Sequence, residues 1–496
     1  MNIQQYFTIG GEAIYKVKPN LSIKTGFFCA TTIVILAALS RFCMIYFAQS
    51  EAGDTSTYLK LAENILRGCG MSHSDPKSDE CILTARIYFP GYPAFIAFVW
   101  AIFGKSVFAV LIAQLICYLL ALIWLLIATF QLTKSNKIMC AVGILLALSP
   151  MQIGWFRFVL TEPLAIATAT WFLAEILISI ANKKLRAFHL ALALSCSIYI
   201  RPDSVFMILP VLVTSFFIND FKKSIKEILL IIFLTSIPVS IWLVRNYSLG
   251  QPPISSISTV APNAKGYFTW LDTWVVNEYE RSAANFPVWQ KEYSKIDIHT
   301  SRYIDVNELQ KAHILIAQLK LIDGKKFPEN IDRKFEHMAL EKIKTRKVVV
   351  PFLIFQERVA WLLFNPFSSW GLPLEMKFIN RNEVIETIKI FDIRHFNQLT
   401  SGYRSLIFWK FSTFLYRLFV FSFFFALVSF LIFKKSSKVS LQLKIFGFST
   451  FLLMSVKIIF YIYMEGLESR YLISVVPWVE TSVALWFAYY LKYFLE

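Results

Sequence analysis

The sequence predicts an all-α integral membrane protein: about ten transmembrane helices, an amphipathic first external loop and a mixed external domain. Three observations predict it. Of 496 residues, 56% are hydrophobic and only 17% are charged, against about 45–50% and about 25% in soluble domains. Mean hydropathy is +0.54. The surplus also lies in long unbroken blocks: Thr25–Ala48, Val107–Phe130, Ile228–Val244, Leu406–Phe433 and Tyr471–Leu491. Each is near the roughly 20 residues that cross a bilayer as helix, and none alternates as a barrel strand would.

The formal net charge of +17 raises nucleic acid as a partner, and the placement of the cations rejects it. Lys134 with Lys137, Lys183 with Lys184 and Arg186, Lys222 with Lys223 and Lys226, and Lys434 with Lys435 and Lys438 form small clusters between apolar blocks. That is the positive-inside pattern, and it makes the lipid bilayer the partner. It assigns residues 1–24, with Lys16, Lys18 and Lys24, to a cytoplasmic arm. The turns near Ala48, Trp155, Arg201, Arg245 and Arg470 then fall on the far side. No small-residue cleavage site follows the first apolar block, which is expected to remain as span one.

Residues 25–247 form the expected transmembrane core. Charges are expected to gather at the outer ends of the spans, with Arg41 within span one the main exception. The first external loop, 49–106, begins polar. After Asp54, an apolar face of Tyr58, Leu61, Ala62, Ile65 and Leu66 recurs at helical spacing. Pro93–Phe103 is apolar but too short to span, and is expected to lie in the interface. Val107–Phe130 returns inward, Met139–Leu148 goes out, and Pro150–Thr161 is expected as a short external loop. Thr161–Ile180 comes back. Phe188–Ile200 and Val205–Ile218 suit a hairpin with Arg201-Pro202-Asp203 at its tip, and Ile228–Val244 goes out again.

Residues 248–404, rich in charge, Trp and Tyr, are expected as an external domain. Within them Phe335, Met338, Ala339 and Ile343 recur at helical spacing. Val348–Phe367 is broken by Pro351 and Pro366, which suits an interfacial helix pair. Residues 405–496 supply the last three spans. Five cysteines lie in or beside apolar blocks, where Cys is usually a small hydrophobe. Cys69 and Cys81 lie in the first external loop and can form a disulfide if that side is oxidising.

Chemistry-bearing residues gather at the outer ends of separate spans. Asp54, in Ser50-Glu51-Ala52-Gly53-Asp54-Thr55, stands at a helix start, where capping is the plain reading. Arg86 leads into Pro90-Gly91-Tyr92-Pro93. Glu162 follows Thr161, itself a capping residue, and precedes Pro163, which suits a first turn. Arg201 precedes Pro202, Arg245 ends Trp242-Leu243-Val244, and Arg470 and Tyr471 close Glu468-Ser469-Arg470-Tyr471. Each alone suits snorkelling to the interface. Converging from separate helices, they suggest an anion site with acids beside it. No Gly-rich phosphate loop, no Asp-x-Asp pair and no His-Glu-x-x-His spacing appears, so no nucleotide, cofactor or metal is expected.

In this order, GDTSTYLKLAENILRG, RIYFPGYPAF, AIFGKSVFAV, VLTEP, IRP, WLVRNY and ESRYLISVVPW resemble the GT-C glycosyltransferases. More narrowly they look like those of bacterial relatives of dolichyl-phosphate-mannose–protein mannosyltransferases and of the lipid A aminoarabinose transferase. The resemblance implies a GT-C-like bundle in a bacterial inner membrane with its active site on the extracytoplasmic side. It implies a polyprenyl-phosphate-linked sugar donor and a glycolipid, polysaccharide or protein acceptor, with inversion at the anomeric carbon. Asp54 matches the family's first-loop acid, the expected general base, and Glu162 the second-loop acid. Arg86, then Arg245 and Arg470, then Arg201 are the expected phosphate ligands. Glu51, Tyr92 and Tyr471 are expected to shape the substrate site. The alternative class is a transporter or flippase for an anionic or lipid-linked substrate, which predicts broken helices and charges deep in the spans.

Overall fold

The structure, a computed structural model, describes residues 19–76, 81, 89–249, 264–298, 301, 303–347, 349–365, 371, 404–433, 441–463 and 467–495. Arg86 lies outside them. Among the described residues every regular element is helical, so the expected mixed external domain is all-α where it is described.

Helix α1 (Pro19–Ala48) is followed by α2 (Thr55–Leu66), α3 (Gly91–Phe103), α4 (Val107–Thr133) and α5 (Asn136–Ala147). Ser106 and Ser135 start α4 and α5 with side-chain caps, accepting from the N–H groups of Ala109 and Ile138. Lys134 ends α4 in the left-handed conformation, φ 52°, so the α4–α5 turn takes only two residues. A short α6 (Pro150–Ile153) and a 3-10 turn (Gly154–Arg157) precede α7 (Thr161–Asn182). Helix α8 (Ala187–Ile200) leads through the 3-10 turn Pro202–Met207 into α9 (Ile208–Ile218) and α10 (Phe221–Ser248).

The chain is a multi-pass membrane protein. Among the described residues, six helices are long and apolar enough to cross a bilayer, and a seventh crossing is the pair Asn136–Ala147 and Pro150–Arg157, bent by 44°. The expected ten are reached only by adding α8, α9 and the final helix. Helix α7 is the centre of the bundle, buried on all sides along most of its length.

The bend has a chemical cause. Pro150 has no N–H and cannot continue the ladder. Arg41 instead donates from Nη2 to the Leu146 carbonyl at 3.0 Å and from Nη1 to the Ala147 carbonyl at 2.9 Å. Beyond the break, Glu480 accepts from Ser149 Oγ and Gln152 Nε2, each at 2.5 Å, and from the Tyr416 hydroxyl at 3.0 Å. Two expectations are corrected here. Pro150–Thr161 is a packed element with Met151, Trp155, Phe156 and Phe158 buried, not an external loop. Nor is Arg41 the main deep charge: Glu175, Arg417, Lys457 and Glu480 are buried too. The partners of Arg417, Lys457 and Glu480 sit on other elements, where sequence proximity gives no signal, whereas Glu175 also accepts from Trp171 one turn earlier on its own helix.

A second core gathers α11 (Lys265–Asp272), α12 (Glu278–Gln290), α13 (Val306–Lys320) and α14 (Glu329–Thr345) around Tyr267, Trp270, Trp274 and Phe335. Phe335, Met338 and Ala339 face that core as their spacing requires, whereas Ile343 is exposed. Val349–Phe364 is a single helix, α15, because Pro351 falls in its first turn, where a missing N–H is harmless. Pro366 lies outside the described residues. Arg358 of α15 pins this core to the bundle. It donates to the carbonyls of Val275 at 2.8 Å and Asp272 at 3.1 Å, and to that of Ile462 at 3.3 Å. Helices α16 (Arg404–Phe433), α17 (Leu441–Tyr463) and α18 (Val476–Leu495) complete the bundle.

Candidate active site

Asp54 occupies the position just before α2, yet its side chain makes no capping hydrogen bond. Thr55 stabilises the turn instead. Its hydroxyl accepts from the Ala52 N–H at 3.1 Å and donates to the Val159 carbonyl at 3.3 Å. The Ser50 N–H also donates to the Arg157 carbonyl at 3.3 Å. These bonds stitch the first loop to the segment that delivers Glu162. The Asp54 carboxylate, 39% exposed, is left facing Arg470, whose Nη1 lies 3.4 Å from Oδ2.

Arg470 sits in a 3-10 turn, Ser469–Leu472, between α17 and α18. Its Nε pairs with Glu468. Burial alone would lower the guanidinium's pKa, but Glu468, Tyr471, Glu162 and Asp54 outweigh it and hold the group above its ordinary value. Tyr471 stacks on Tyr461 with ring centroids 4.9 Å apart, and Arg201 stands over the Tyr471 ring at 5.5 Å.

Arg201 ends α8, where the following Pro202 stops the helix. Its Nη1 lies 3.2 Å from Glu162 Oε1 and its Nε lies 3.3 Å from Asp203 Oδ1. Burial would raise the Asp203 carboxyl, but Lys457 and Arg201 hold it below the usual carboxylate range. The Lys457 ammonium lies 2.6 Å from Asp203 Oδ2 and donates to Ser474 Oγ at 2.5 Å. Glu162 is buried in the first turn of α7. Leu160, not Thr161, holds the N-cap position. The Thr161 hydroxyl contacts Glu162 Oε2 and Arg201 Nη1, each at 3.4 Å.

The network is two ion-paired clusters, Asp54–Arg470–Glu468 and Glu162–Arg201–Asp203–Lys457, with both arginines over the Tyr471 ring. Four acids meet three cations, so these cations are already matched by carboxylates. Asp203, Lys457 and Glu468 were not among the sequence candidates. A lysine inside the apolar run Phe451–Tyr463 was the available signal, since a charge at membrane depth requires a partner.

The other candidates lie apart from this network. Arg245 donates to Asn246 Oδ1 at 2.9 Å and to the Met71 carbonyl at 3.3 Å, and stands over the Trp242 ring at 4.6 Å. Among the described residues no carboxylate pairs with it. Tyr92 is fully buried beneath α2, with its hydroxyl donating to Gln114 Oε1 at 2.6 Å and its ring edge-on to Tyr58. Glu51 is exposed. Cys69 and Cys81 are joined as a disulfide, Cα to Cα 5.1 Å. Among the described residues no three His, Cys, Asp or Glu side chains gather as a metal set.

No protein-family model matches the chain, and no curated protein matches it. The solved structures similar to it include two oligosaccharyltransferases. One is the archaeal oligosaccharyltransferase AglB from Archaeoglobus fulgidus in complex with an inhibitory peptide and a dolichol-phosphate. It has 11% identity and a TM-score of 0.41, covering 93% of this chain and 50% of that one. The other is the Archaeoglobus fulgidus oligosaccharyltransferase tethered to an acceptor peptide containing the NVT sequon via a disulfide bond. It has 13% identity and a TM-score of 0.35, covering 91% and 55%. The chain spans about half the length of these proteins.

Proposed function

We propose that this chain is a membrane glycosyltransferase that moves a sugar from a polyprenyl phosphate to an acceptor hydroxyl or amine at the extracytoplasmic face. The observation that carries the reading is Asp54. A carboxylate at a helix start normally caps the helix. This one makes no cap, remains partly exposed and is braced by one arginine. That is the arrangement a general base needs: held by a cation and open to a reactant within hydrogen-bond reach.

In the proposed step the acceptor oxygen or nitrogen attacks the anomeric carbon and its proton passes to Asp54. The bond from that carbon to the phosphate oxygen breaks with inversion, and the polyprenyl phosphate departs with the electron pair. Negative charge grows on the leaving phosphate, so fixed cations lower the barrier. Arg470 and Arg201 are matched by acids, which suits them to hold Asp54 and Glu162 in place. Arg245, with no acid partner among the described residues, is the better phosphate ligand, together with Arg86. Glu162 orients the acceptor from the adjoining helix.

The transporter reading has two observations in its favour, the buried charges Glu175, Arg417 and Lys457 within the helices and the broken span beside Arg41 and Glu480. Those groups have structural work at the break: Arg41 donates to its carbonyls and Glu480 accepts from Ser149 and Gln152. The test is to offer labelled polyprenyl-phosphate sugars to membranes that contain the chain. Release of polyprenyl phosphate with a labelled acceptor supports the transferase. Labelled lipid crossing proteoliposome leaflets without sugar release supports the transporter.

A further inference from the structure

A cavity of about 500 Å³ opens at the end of α17, between that helix, the close of α11 and the turn from α14 into α15. Its charged lining is Arg346, Arg358 and Asp272, and its apolar wall includes Ile354, Phe355 and Ile459.

The cavity lies behind the candidate site, not in it. Tyr461 is buried and stacks on Tyr471. Ile459 and Tyr463, which line the cavity, stand two residues to either side of Tyr461, about 200° around the helix. They are 55% and 82% exposed, so the cavity opens on the lipid-facing side of α17. The span Leu441–Tyr463 ends here, which puts the opening at headgroup depth, where Tyr is favoured. Phe352 and Leu353, next to the lining residues Pro351 and Ile354, are exposed as well. An apolar surface thus continues from the cavity along both helices.

Charge decides what the cavity takes. Asp272 Oδ1 lies 3.7 Å from Arg358 Nη2, so the one acid in the lining is engaged by one of its two arginines. Arg346 directly follows α14, and its N–H donates to the Lys342 carbonyl at 2.9 Å. Among the described residues no carboxylate pairs with its side chain. Two guanidiniums against one carboxylate leave one positive charge. That matches a phosphodiester, with a single negative charge, better than a phosphomonoester, which carries nearly two. Arginine also suits phosphate oxygens by geometry. Lys344 and Lys347, exposed on either side of Arg346, add to the local positive potential.

We propose that this cavity binds the phosphodiester headgroup of an anionic glycerophospholipid of the phosphatidylglycerol type. Arg346 holds the phosphate, and the acyl chains lie along α17 and the first turns of α15. The lipid is neither sugar donor nor acceptor, since it sits on the opposite face of α17 from Tyr461. It fastens the second core to the membrane at the joint where Arg358 already pins that core to the bundle. A choline headgroup brings its own cation toward two guanidiniums and is disfavoured. None of this depends on the transferase reading.

The test measures binding of phosphatidylglycerol and phosphatidylcholine, matched in acyl chains, to the purified full-length chain by native mass spectrometry. Phosphatidylglycerol should bind about fivefold more tightly, the worth of one basic residue at a charged membrane surface. Arg346→Gln should remove this preference and leave phosphatidylcholine unchanged, which also shows that the variant is folded. Lys344→Gln and Lys347→Gln, equal in charge, should retain it. Ile459→Trp fills the cavity from its lipid side and should abolish the preference with every cation in place. Equal binding of the two lipids by the wild type, or a preference indifferent to Ile459→Trp, overturns the site. Equal loss in all three cation variants shows a diffuse basic surface instead and overturns it too. Glycerophosphoglycerol, the same headgroup without acyl chains, should not displace the lipid at millimolar concentration. Displacement would mean a site for a soluble phosphodiester and would overturn the lipid assignment.

Discussion

Arg470 donates from Nη1 to Oδ2 of Asp54 at 3.4 Å, joining residues 416 positions apart. Its Nε is held at the same time by Glu468. The guanidinium works as a fork, gripping one acid that is half-open and another that is nearly covered. Lysine has the charge but not the fork. Arg470→Lys is therefore expected to fold and to lower turnover by at least tenfold, since small misplacements of a catalytic group cost up to about a hundredfold. Acceptor KM should change little. Steady-state kinetics on the variant checks this, and an unchanged kcat would remove Arg470 from the positioning of Asp54.

Lys457 and Asp203 form a buried ion pair between α17 and the turn after α8. Removing one partner strands the other. Lys457→Met alone should cost about 3–5 kcal/mol, whereas Lys457→Met with Asp203→Leu should cost clearly less than the sum of the two single changes. Thermal unfolding of the four proteins in detergent measures the coupling. Strict additivity would mean that the pair does not act as one.

The break in the α5–α6 span depends on Arg41. Arg41→Leu takes a charged donor from each of the Leu146 and Ala147 carbonyls and leaves them the Tyr118 hydroxyl at 3.3 Å and the Ser40 hydroxyl at 3.1 Å, and a hydrogen bond from a charged group is worth about 1.5–3 kcal/mol. Pro150→Ala restores a backbone N–H at the break. It should recover part of the lost stability in the Arg41→Leu background while adding little on its own. A melting temperature that falls further in the double variant would refute this role.

The Cys69–Cys81 bridge closes a short loop, sequence separation 12. Loop-closure entropy makes such a bridge worth about 2–3 kcal/mol. Maleimide should label neither thiol on the intact protein without reductant and both after reduction and unfolding. Cys81→Ser should lower the melting temperature. Labelling of both without reductant would show that the bridge is absent.

The helices were legible because bilayer thickness imposes a length on them. The blocks beginning at Thr25, Val107 and Thr161 all became helices. The break at Pro150 was not legible, because apolar Trp155 and Phe156 read as a loop until Arg41 and Glu480 are seen beside it. At the site, Asp54, Glu162, Arg201 and Arg470 stand out as polar residues at the ends of apolar runs. Their pairing does not, because it joins distant parts of the chain. Capping was the natural reading of Asp54 and Thr161, and packing overrode it: the Thr55 hydroxyl bonds into the turn at Ala52, and Thr161 turns to Arg201. Lys457 was visible as a lone charge in an apolar helix, but its partner was not.

The central claim is that Asp54 is the base, and sugar transfer by Asp54→Asn tests it most directly. Membranes with matched amounts of wild-type and variant chain would be given labelled polyprenyl-phosphate sugars. Asparagine keeps the shape but cannot take the proton, so transfer should fall by about 10²–10⁴-fold while the melting temperature stays near that of the wild type. Transfer at the wild-type rate by a folded Asp54→Asn protein would contradict the account, and the search for the base would move to Glu162.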